Sequence, residues 1–154
     1  MNIARPSSEW LRVLVLDDDA DMRAITSKTL VGTLDRIRVT EAGDPPAFEA
    51  ALQGPAFDAV VTDYAMQWTD GITALRRIKA AWPDCPVIVF TSSGSEEVAV
   101  EAMKAGADDY LSKSPRDFPR LPHAVRLAME RAAARSKLAE IEQYLNHLTE
   151  GLDV

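Results

Sequence analysis

The chain has 154 residues, a formal net charge of −7 and 47% hydrophobic residues. That length suits one domain with a short appendage, and the composition is typical of soluble globular proteins rather than disordered or fibrous ones. The acidic balance argues against direct nucleic-acid binding, because phosphate contacts need clustered Lys and Arg. A single cysteine, Cys85, excludes an internal disulfide, and no apolar run is long enough to cross a bilayer. We therefore expect a cytoplasmic protein without membrane insertion.

Short apolar runs alternate along the chain with segments of helical spacing. Runs rich in Val and Ile, without polar alternation, are typical of strands buried on both faces. They occur at Val13–Leu16, Ile37–Val39, Ala59–Val61, Val87–Phe90 and Tyr110–Leu111. The segments between them predict helices, including one over Pro45–Leu52 whose proline suits a first turn. This order predicts an α/β fold: a five-stranded parallel sheet in a flavodoxin-like, doubly wound (βα)5 sandwich with an elongated C-terminal helix.

Polar residues follow these predicted strands. Asp17 and Asp18 follow the first strand, Asp63 follows the third, Thr91 ends the fourth, and Lys113 follows the fifth. Because the carboxyl ends of parallel strands lie at one edge of a sheet, we expect these side chains to converge. Carboxylate oxygens suit a hard cation such as Mg²⁺, and neighbouring ionised carboxylates repel each other without one. The ammonium and the hydroxyl would suit a phosphoryl group.

Five segments resemble the response-regulator receiver domain of two-component signalling, in order and at workable spacing. They are VLVLDDDADMR, VVTDYAM, the DG pair at Asp70–Gly71, VIVFTSS and AGADDYLSK. The resemblance implies a phosphorylation-controlled response regulator that accepts a phosphoryl group from a sensor histidine kinase or a histidine phosphotransfer protein. It implies no enzymatic activity beyond the chain's own phosphorylation and dephosphorylation. The C-terminal segment is balanced in charge and striped with leucines, so we expect no DNA-binding output domain.

The resemblance also implies a role for each matching acid. Asp63 matches the phosphoacceptor, and Asp63, Asp18 and the backbone carbonyl of Ala65 match the groups that hold Mg²⁺. Asp17 matches the partner acid that usually reaches the metal through water. The usual proline of the loop after Asp63 is missing, and Trp68 in that loop is a candidate exposed contact.

The remaining matches concern the phosphoryl pocket and the switch. Lys113 matches the lysine that pairs with the phosphoryl group, and Thr91 and Tyr110 match the hydroxyl and the aromatic ring that respond to it. The proline that usually follows this lysine is replaced by Ser114. Because a cis bond before a residue other than proline costs about 3 kcal/mol more than trans, we expect an altered loop here.

Several of these residues have simpler alternatives. The run Asp17–Asp19 is also typical of a helix N-cap, and Asp19 is expected to begin the helix without a metal role. Thr91 is compatible with an ordinary strand residue, and Tyr110 with a half-buried strand tyrosine. The alternative function is a pseudo-receiver, which acts as a constitutive protein–protein adaptor or dimerisation module.

The C-terminal segment predicts one long helix from Phe118 to Glu150, about 50 Å in length. Its first part offers an apolar face to the domain: Leu121, Val125, Ala128, Met129 and Ala132. Its second part has leucines and one isoleucine at alternating steps of three and four, a heptad pattern. This dimer seam consists of Leu138, Ile141, Leu145 and Leu148.

The seam predicts a homodimer through a parallel coiled coil. The alternatives are a helix that folds back on its own domain and a signalling helix cut from a longer protein. The predicted organisation is an N-terminal extension (1–11), a receiver domain (12–132) and a helical coiled-coil extension (133–154).

Overall fold

The computed structural model describes residues 9–152, except for the side chain of Leu152. Most of the predicted N-terminal extension, residues 1–8, lies outside the described residues, and so do residues 153–154 at the end of the predicted coiled coil.

Strands and helices alternate along the described chain. The strands are β1 (Leu11–Leu16), β2 (Ile37–Ala42), β3 (Ala59–Thr62), β4 (Val87–Thr91) and β5 (Asp109–Ser112). The helices are α1 (Ala20–Thr33), α2 (Pro45–Leu52), α3 (Gly71–Ala81), α4 (Glu96–Lys104) and α5 (Leu121–Leu152). A 3₁₀ turn over Phe118–Arg120 precedes α5, so the α-helix begins three residues later than predicted. Pro122 explains the later start, because an α-helix that began at Phe118 would need an N–H at position 122 to donate to the Phe118 carbonyl, and proline has none.

The five strands form one parallel sheet in the order β2-β1-β3-β4-β5. The predicted doubly wound α/β fold is therefore confirmed. The chain moves from β1 to β2 on one side and returns to β3 on the other. The order of strands thus switches direction beside β1, and the crevice at the carboxyl ends of β1 and β3 lies at that switch point.

Successive strand residues are buried on opposite faces of the sheet. Leu14, Leu16, Val60, Val87 and Val89 belong to the core beneath α2, α3 and α4. Val13, Val15, Val61, Ile88 and Phe90 belong to the core on the other face, which is closed by α1 and α5. Burial on both faces explains why these strands are continuously apolar rather than alternating.

Four helices begin directly after the loops at the carboxyl edge of the sheet, each with a side-chain cap. Asp19 accepts from the backbone N–H of Asp21 and Met22, and Asp44, Asp70 and Ser95 cap α2, α3 and α4 in the same way. Asp19 is therefore the capping acid of α1, as expected. Asp17 and Asp18 are left on the sheet side of the loop.

The long helix α5 packs on the domain only over its first part. Leu121 and Val125 are fully buried and Ala128 is nearly so. Beyond Ser136 every position through 151 is exposed. Near the point where α5 leaves the domain, Arg135 Nη2 lies 3.4 Å from Oδ1 of Asp108, the residue just before β5. Among residues 9–152, no helix is long and apolar enough to span a bilayer.

Candidate phosphoacceptor site

The carboxyl ends of β1 and β3 bring three carboxylates together. Asp17 and Asp18 directly follow β1, and Asp63 directly follows the neighbouring β3. One oxygen of each carboxylate lies within 4.8 Å of the other two. The backbone dictates this approach, because Asp63 N–H donates to the Leu16 carbonyl at 2.9 Å and Asp17 N–H donates to the Ala42 carbonyl at 3.1 Å. Both acids are thus held by continuations of the sheet's hydrogen-bond ladders.

Lys113 reaches the same cluster from β5. Its Nζ lies 2.6 Å from Oδ2 of Asp17 and 3.3 Å from Oδ2 of Asp63. The side chains of Lys113 and Asp17 are each 4% exposed, and that of Asp63 is 11% exposed. The backbone N–H of Lys113 donates to the Thr91 carbonyl at 3.0 Å, so the lysine is anchored by the pairing of β4 with β5. At such low exposure these charges are screened weakly by solvent.

The electrostatics of the cluster favour an additional cation. Burial raises the pKa of Asp17 above its usual value, since loss of hydration disfavours the carboxylate. Hydrogen bonds from Lys113 Nζ and the Asp19 N–H oppose this effect, and the charge of Asp63 adds to it. Three carboxylates face one ammonium, which leaves two negative charges unbalanced. An all-oxygen donor set with excess negative charge fits a hard divalent cation such as Mg²⁺.

The loop after β3 forms the open side of the cluster. Asp18 Oδ2 accepts from the backbone N–H of Gln67 at 2.9 Å, so this loop is tied across to the end of β1. Asp63 Oδ1 accepts from the Tyr64 N–H at 2.7 Å, which fixes the plane of its carboxylate. Ala65 is exposed and forms an isolated bridge with Asp70. Its small side chain leaves access to the cluster from solvent.

The two proposed switch residues lie next to the cluster but are not in it. Thr91 is buried at the end of β4, and its Oγ1 accepts from the Ser93 N–H at 3.2 Å. Tyr110 on β5 packs with its hydroxyl against Gly94, where an added methyl group would overlap it. Burial raises the pKa of Tyr110, and a hydrogen bond with the Ser95 backbone opposes that shift. Both side chains therefore contact the β4–α4 loop.

A hydrogen-bond network that the sequence did not suggest supports the loop after Lys113. Ser112 Oγ donates to Oδ2 of Asp117 at 2.8 Å and lies 3.0 Å from the Ser114 hydroxyl. The backbone N–H of Asp117 donates to Ser114 Oγ at 3.2 Å, and that of Phe118 donates to the Ser114 carbonyl at 2.9 Å. No cis peptide bond occurs within residues 9–152, in agreement with the altered loop expected at Ser114. The three-residue spacing of Ser114 and Asp117 is the sequence feature from which this network could have been predicted.

Two further residues near the site, Arg23 and Trp68, have contacts that the sequence did not indicate. Arg23 Nη1 donates to the Asp17 carbonyl at 2.8 Å and its guanidinium lies against Gly43, so it holds the β1–α1 loop in place. Trp68 was a candidate exposed contact, and this expectation is wrong. Its ring is half-buried 5.7 Å from that of Phe48, and its Nε1 donates to the Gly43 carbonyl at 3.3 Å.

Comparisons with known proteins agree with this geometry. The response regulator receiver domain family matches residues 13–126. The transcriptional regulatory protein FixJ of Bradyrhizobium diazoefficiens is 38% identical over 133 residues, which is 85% of this chain and 62% of FixJ. The transcriptional regulatory protein ZraR of Salmonella typhimurium is 38% identical over 117 residues, which is 76% of this chain and 26% of ZraR. The chain thus spans less than two thirds of either relative.

Among solved structures, the beryllofluoride-activated NtrC4 receiver domain dimer superposes with a TM-score of 0.69 at 31% identity. The match covers 79% of this chain and 98% of the NtrC4 chain. The protein belongs to the response regulator receiver domain family. It carries the receiver domain of a two-component response regulator, as the sequence motifs predicted.

Proposed function

We propose that this receiver is controlled by phosphorylation of Asp63, with a phosphohistidine on a sensor kinase or a histidine phosphotransfer protein as the donor. The observation that carries the proposal is the contact of Lys113 with both Asp17 and Asp63 in a pocket of low exposure. An acid that is partly exposed, held in plane by a backbone N–H and faced by an ammonium has the surroundings that an in-line phosphoryl acceptor needs.

In the proposed transfer, a carboxylate oxygen of Asp63 forms a bond to phosphorus while the bond from phosphorus to the donor nitrogen breaks. Lys113 pairs with the phosphoryl oxygens, and its low exposure strengthens this attraction. Asp17, Asp18, Asp63 and the Ala65 carbonyl are the proposed Mg²⁺ ligands, with Asp17 acting through water. A bound Mg²⁺ ion supplies the positive charge that offsets the acids and the incoming phosphoryl group. The chain acts as a phosphoacceptor rather than on a separate substrate.

The proposed output is a changed surface or dimer. Thr91 and Tyr110 both touch the β4–α4 loop. A movement of the Thr91 hydroxyl towards a phosphoryl group would break the hydrogen bond that it accepts from the Ser93 N–H, and would thereby disturb the packing of Tyr110 against Gly94. The dimer seam on α5 is the proposed contact between two copies. No nucleic-acid contact is proposed for this chain.

The one sequence feature that favours the pseudo-receiver alternative is the replacement, by Ser114, of the proline that usually follows the lysine. Lys113 nevertheless contacts Asp17 and Asp63, and the network around Ser114 supports its loop. No observation in the described chain favours a constitutive adaptor over a phosphoacceptor.

The test is labelling of the full chain by acetyl phosphate in the presence of Mg²⁺, followed by intact-mass analysis. We expect the addition of one phosphoryl group, no addition after chelation of the metal, and no addition to Asp63→Asn. Asp84→Asn, which changes an exposed loop acid far from the cluster, is the matched control and should be labelled normally. Labelling that persists in Asp63→Asn would refute the assignment of the acceptor.

A further inference from the structure

The projecting half of α5 carries an apolar stripe that no other part of residues 9–152 covers. Leu138 is 60% exposed, and the other members of the dimer seam, Ile141, Leu145 and Leu148, are between 45% and 55% exposed. With 3.6 residues per turn, the seam lies on the side of α5 roughly opposite to Met129 and Ser136, which face the domain. A second helix can therefore approach the seam without touching the receiver.

The charges beside the seam define its partner. In a heptad, Leu138 and Leu145 occupy position a, and Ile141 and Leu148 occupy position d. The flanking position g is then Glu130, Lys137 and Tyr144, and the flanking position e is Arg135, Glu142 and Thr149. We propose that the seam binds the same seam of a second copy, in parallel and in register, and that Lys137 of each chain pairs with Glu142 of the other.

The parallel arrangement follows from the spacing of these charges. In a parallel pair, position g contacts position e five residues later in the partner helix. Lys137 then meets Glu142 and Glu130 meets Arg135, so all four charged contacts of the dimer join opposite signs. In an antiparallel pair that matches Leu138 with Leu148, Glu142 would instead face its own copy. The parallel dimer is thus the one that the charges favour.

The charged groups are available for this pairing. Within residues 9–152, Lys137 and Glu142 form no ion pair with their own chain. Arg135 has an intrachain partner, Asp108 at 3.4 Å, so the Lys137–Glu142 pairs are the main specificity contacts. Arg131 at an upstream a position weakens the seam near the domain. A seam of four residues, with a charged residue at the core position upstream of it, gives a dimer that dissociates on dilution.

The inference rests on the proposed dimer seam but not on phosphorylation, and charge reversal tests it in the full chain. Lys137→Glu alone or Glu142→Lys alone should weaken self-association by about tenfold, because two attractive contacts per dimer become repulsive. A mixture of the two variants should form heterodimers in preference to either homodimer, since every g–e contact is then complementary. Sedimentation equilibrium and native mass spectrometry measure both effects.

Disulfide trapping tests the orientation. Leu138→Cys and Leu148→Cys should each cross-link to itself, whereas Gln143→Cys on the outer face should not. Burial raises the pKa of Cys85 to about 12, which keeps this native thiol out of the exchange. A disulfide formed only between Leu138→Cys and Leu148→Cys would overturn the parallel arrangement. A wild-type chain that stays monomeric, or a mixture of the charge variants without a preference for heterodimers, would overturn the proposed dimer. Phosphoryl labelling of the same variants, measured separately, distinguishes these failures from a failure of the Asp63 assignment.

Discussion

Replacement of Lys113 by methionine should increase the affinity of the cluster for Mg²⁺. The substitution keeps the aliphatic stem but removes the ammonium, which lies 2.6 Å from Asp17 and 3.3 Å from Asp63. The two carboxylates then lose a competing positive charge, and a divalent cation becomes their main source of neutralisation. The same loss should lower the stability of the metal-free protein, because it leaves buried carboxylates without a partner.

The size of the gain in Mg²⁺ affinity follows from the shorter of these contacts, between Lys113 and Asp17. At 2.6 Å an effective dielectric constant near 20 gives a Coulomb energy of about 6 kcal/mol, most of which is offset by lost hydration. A hydrogen bond between charged groups contributes a net ~1.5–3 kcal/mol, which corresponds to a gain in Mg²⁺ affinity of roughly 10- to 100-fold. The beryllofluoride complex should weaken in the same variant, because the phosphoryl-like group loses its ammonium partner.

Titration calorimetry with Mg²⁺ measures the gain in affinity. Tryptophan fluorescence, recorded in a Trp10→Phe, Trp82→Phe background that leaves Trp68 as the emitter, provides a second signal. The matched control is Lys79→Met, which removes a lysine whose side chain is 22% exposed and whose Nζ lies 3.3 Å from Asp108, at the amino ends of the strands. That variant should lose stability but keep the wild-type Mg²⁺ affinity. The electrostatic reasoning would be refuted if Lys113→Met bound Mg²⁺ no more tightly than wild type, or if Lys79→Met showed the same gain.

Three further perturbations address the supporting structure. Gly94→Ala should destabilise the protein by ~1–3 kcal/mol, because the added methyl group overlaps the Tyr110 hydroxyl. In a Tyr110→Ala background the same change should cost little. If urea unfolding shows the same cost in both backgrounds, this packing is contradicted. Asp117→Ala removes the carboxylate that accepts from the Ser112 hydroxyl in the loop after Lys113, so beryllofluoride should bind less tightly while Mg²⁺ affinity stays near wild type. If calorimetry finds both affinities unchanged, Asp117 does not position Lys113. Burial raises the pKa of Cys85 from 9.0 to about 12, so its contribution to stability is fully present below pH 9 and is lost as the pH rises towards 12, by up to about 4 kcal/mol. Urea unfolding across that pH range should show a smaller loss of stability in Cys85→Ala than in wild type. An equal loss in both proteins would mean that other groups cause it.

The sequence predicted the fold and the convergence of the acids because both depend on local patterns. Continuous apolar runs indicate strands buried on both faces, and a parallel sheet then brings the residues after each strand to one edge. For this reason Asp17, Asp63 and Lys113 were expected together although they are far apart in the chain. The cap of α1 was predictable on the same basis, since Asp19 stands directly before the helical pattern.

The support around the site could not be predicted in the same way. The half-burial of Trp68 depends on Phe48 from α2, and nothing near Trp68 in the sequence indicates that neighbour. Arg23 is an exposed-looking residue on α1 until the turn of the loop brings the Asp17 carbonyl to its guanidinium. The network of Ser114 and Asp117 replaces a conformation that the resemblance associates with proline, and short polar residues satisfy many different loops equally well.

The contact between Arg135 and Asp108 lies at the point where α5 leaves the domain. Asp108 also receives Lys79 Nζ and the Val87 N–H, so α3, β4, β5 and α5 meet at this point, on the edge of the sheet opposite to Asp63. A tilt of α5 as one rigid rod would have its fulcrum at this contact. The free arm extends about 25 Å past this fulcrum, and a tilt of about 10° would move its tip sideways by about 4 Å. In the proposed dimer, a small shift of the buried first turns would therefore become a larger sideways displacement at the seam.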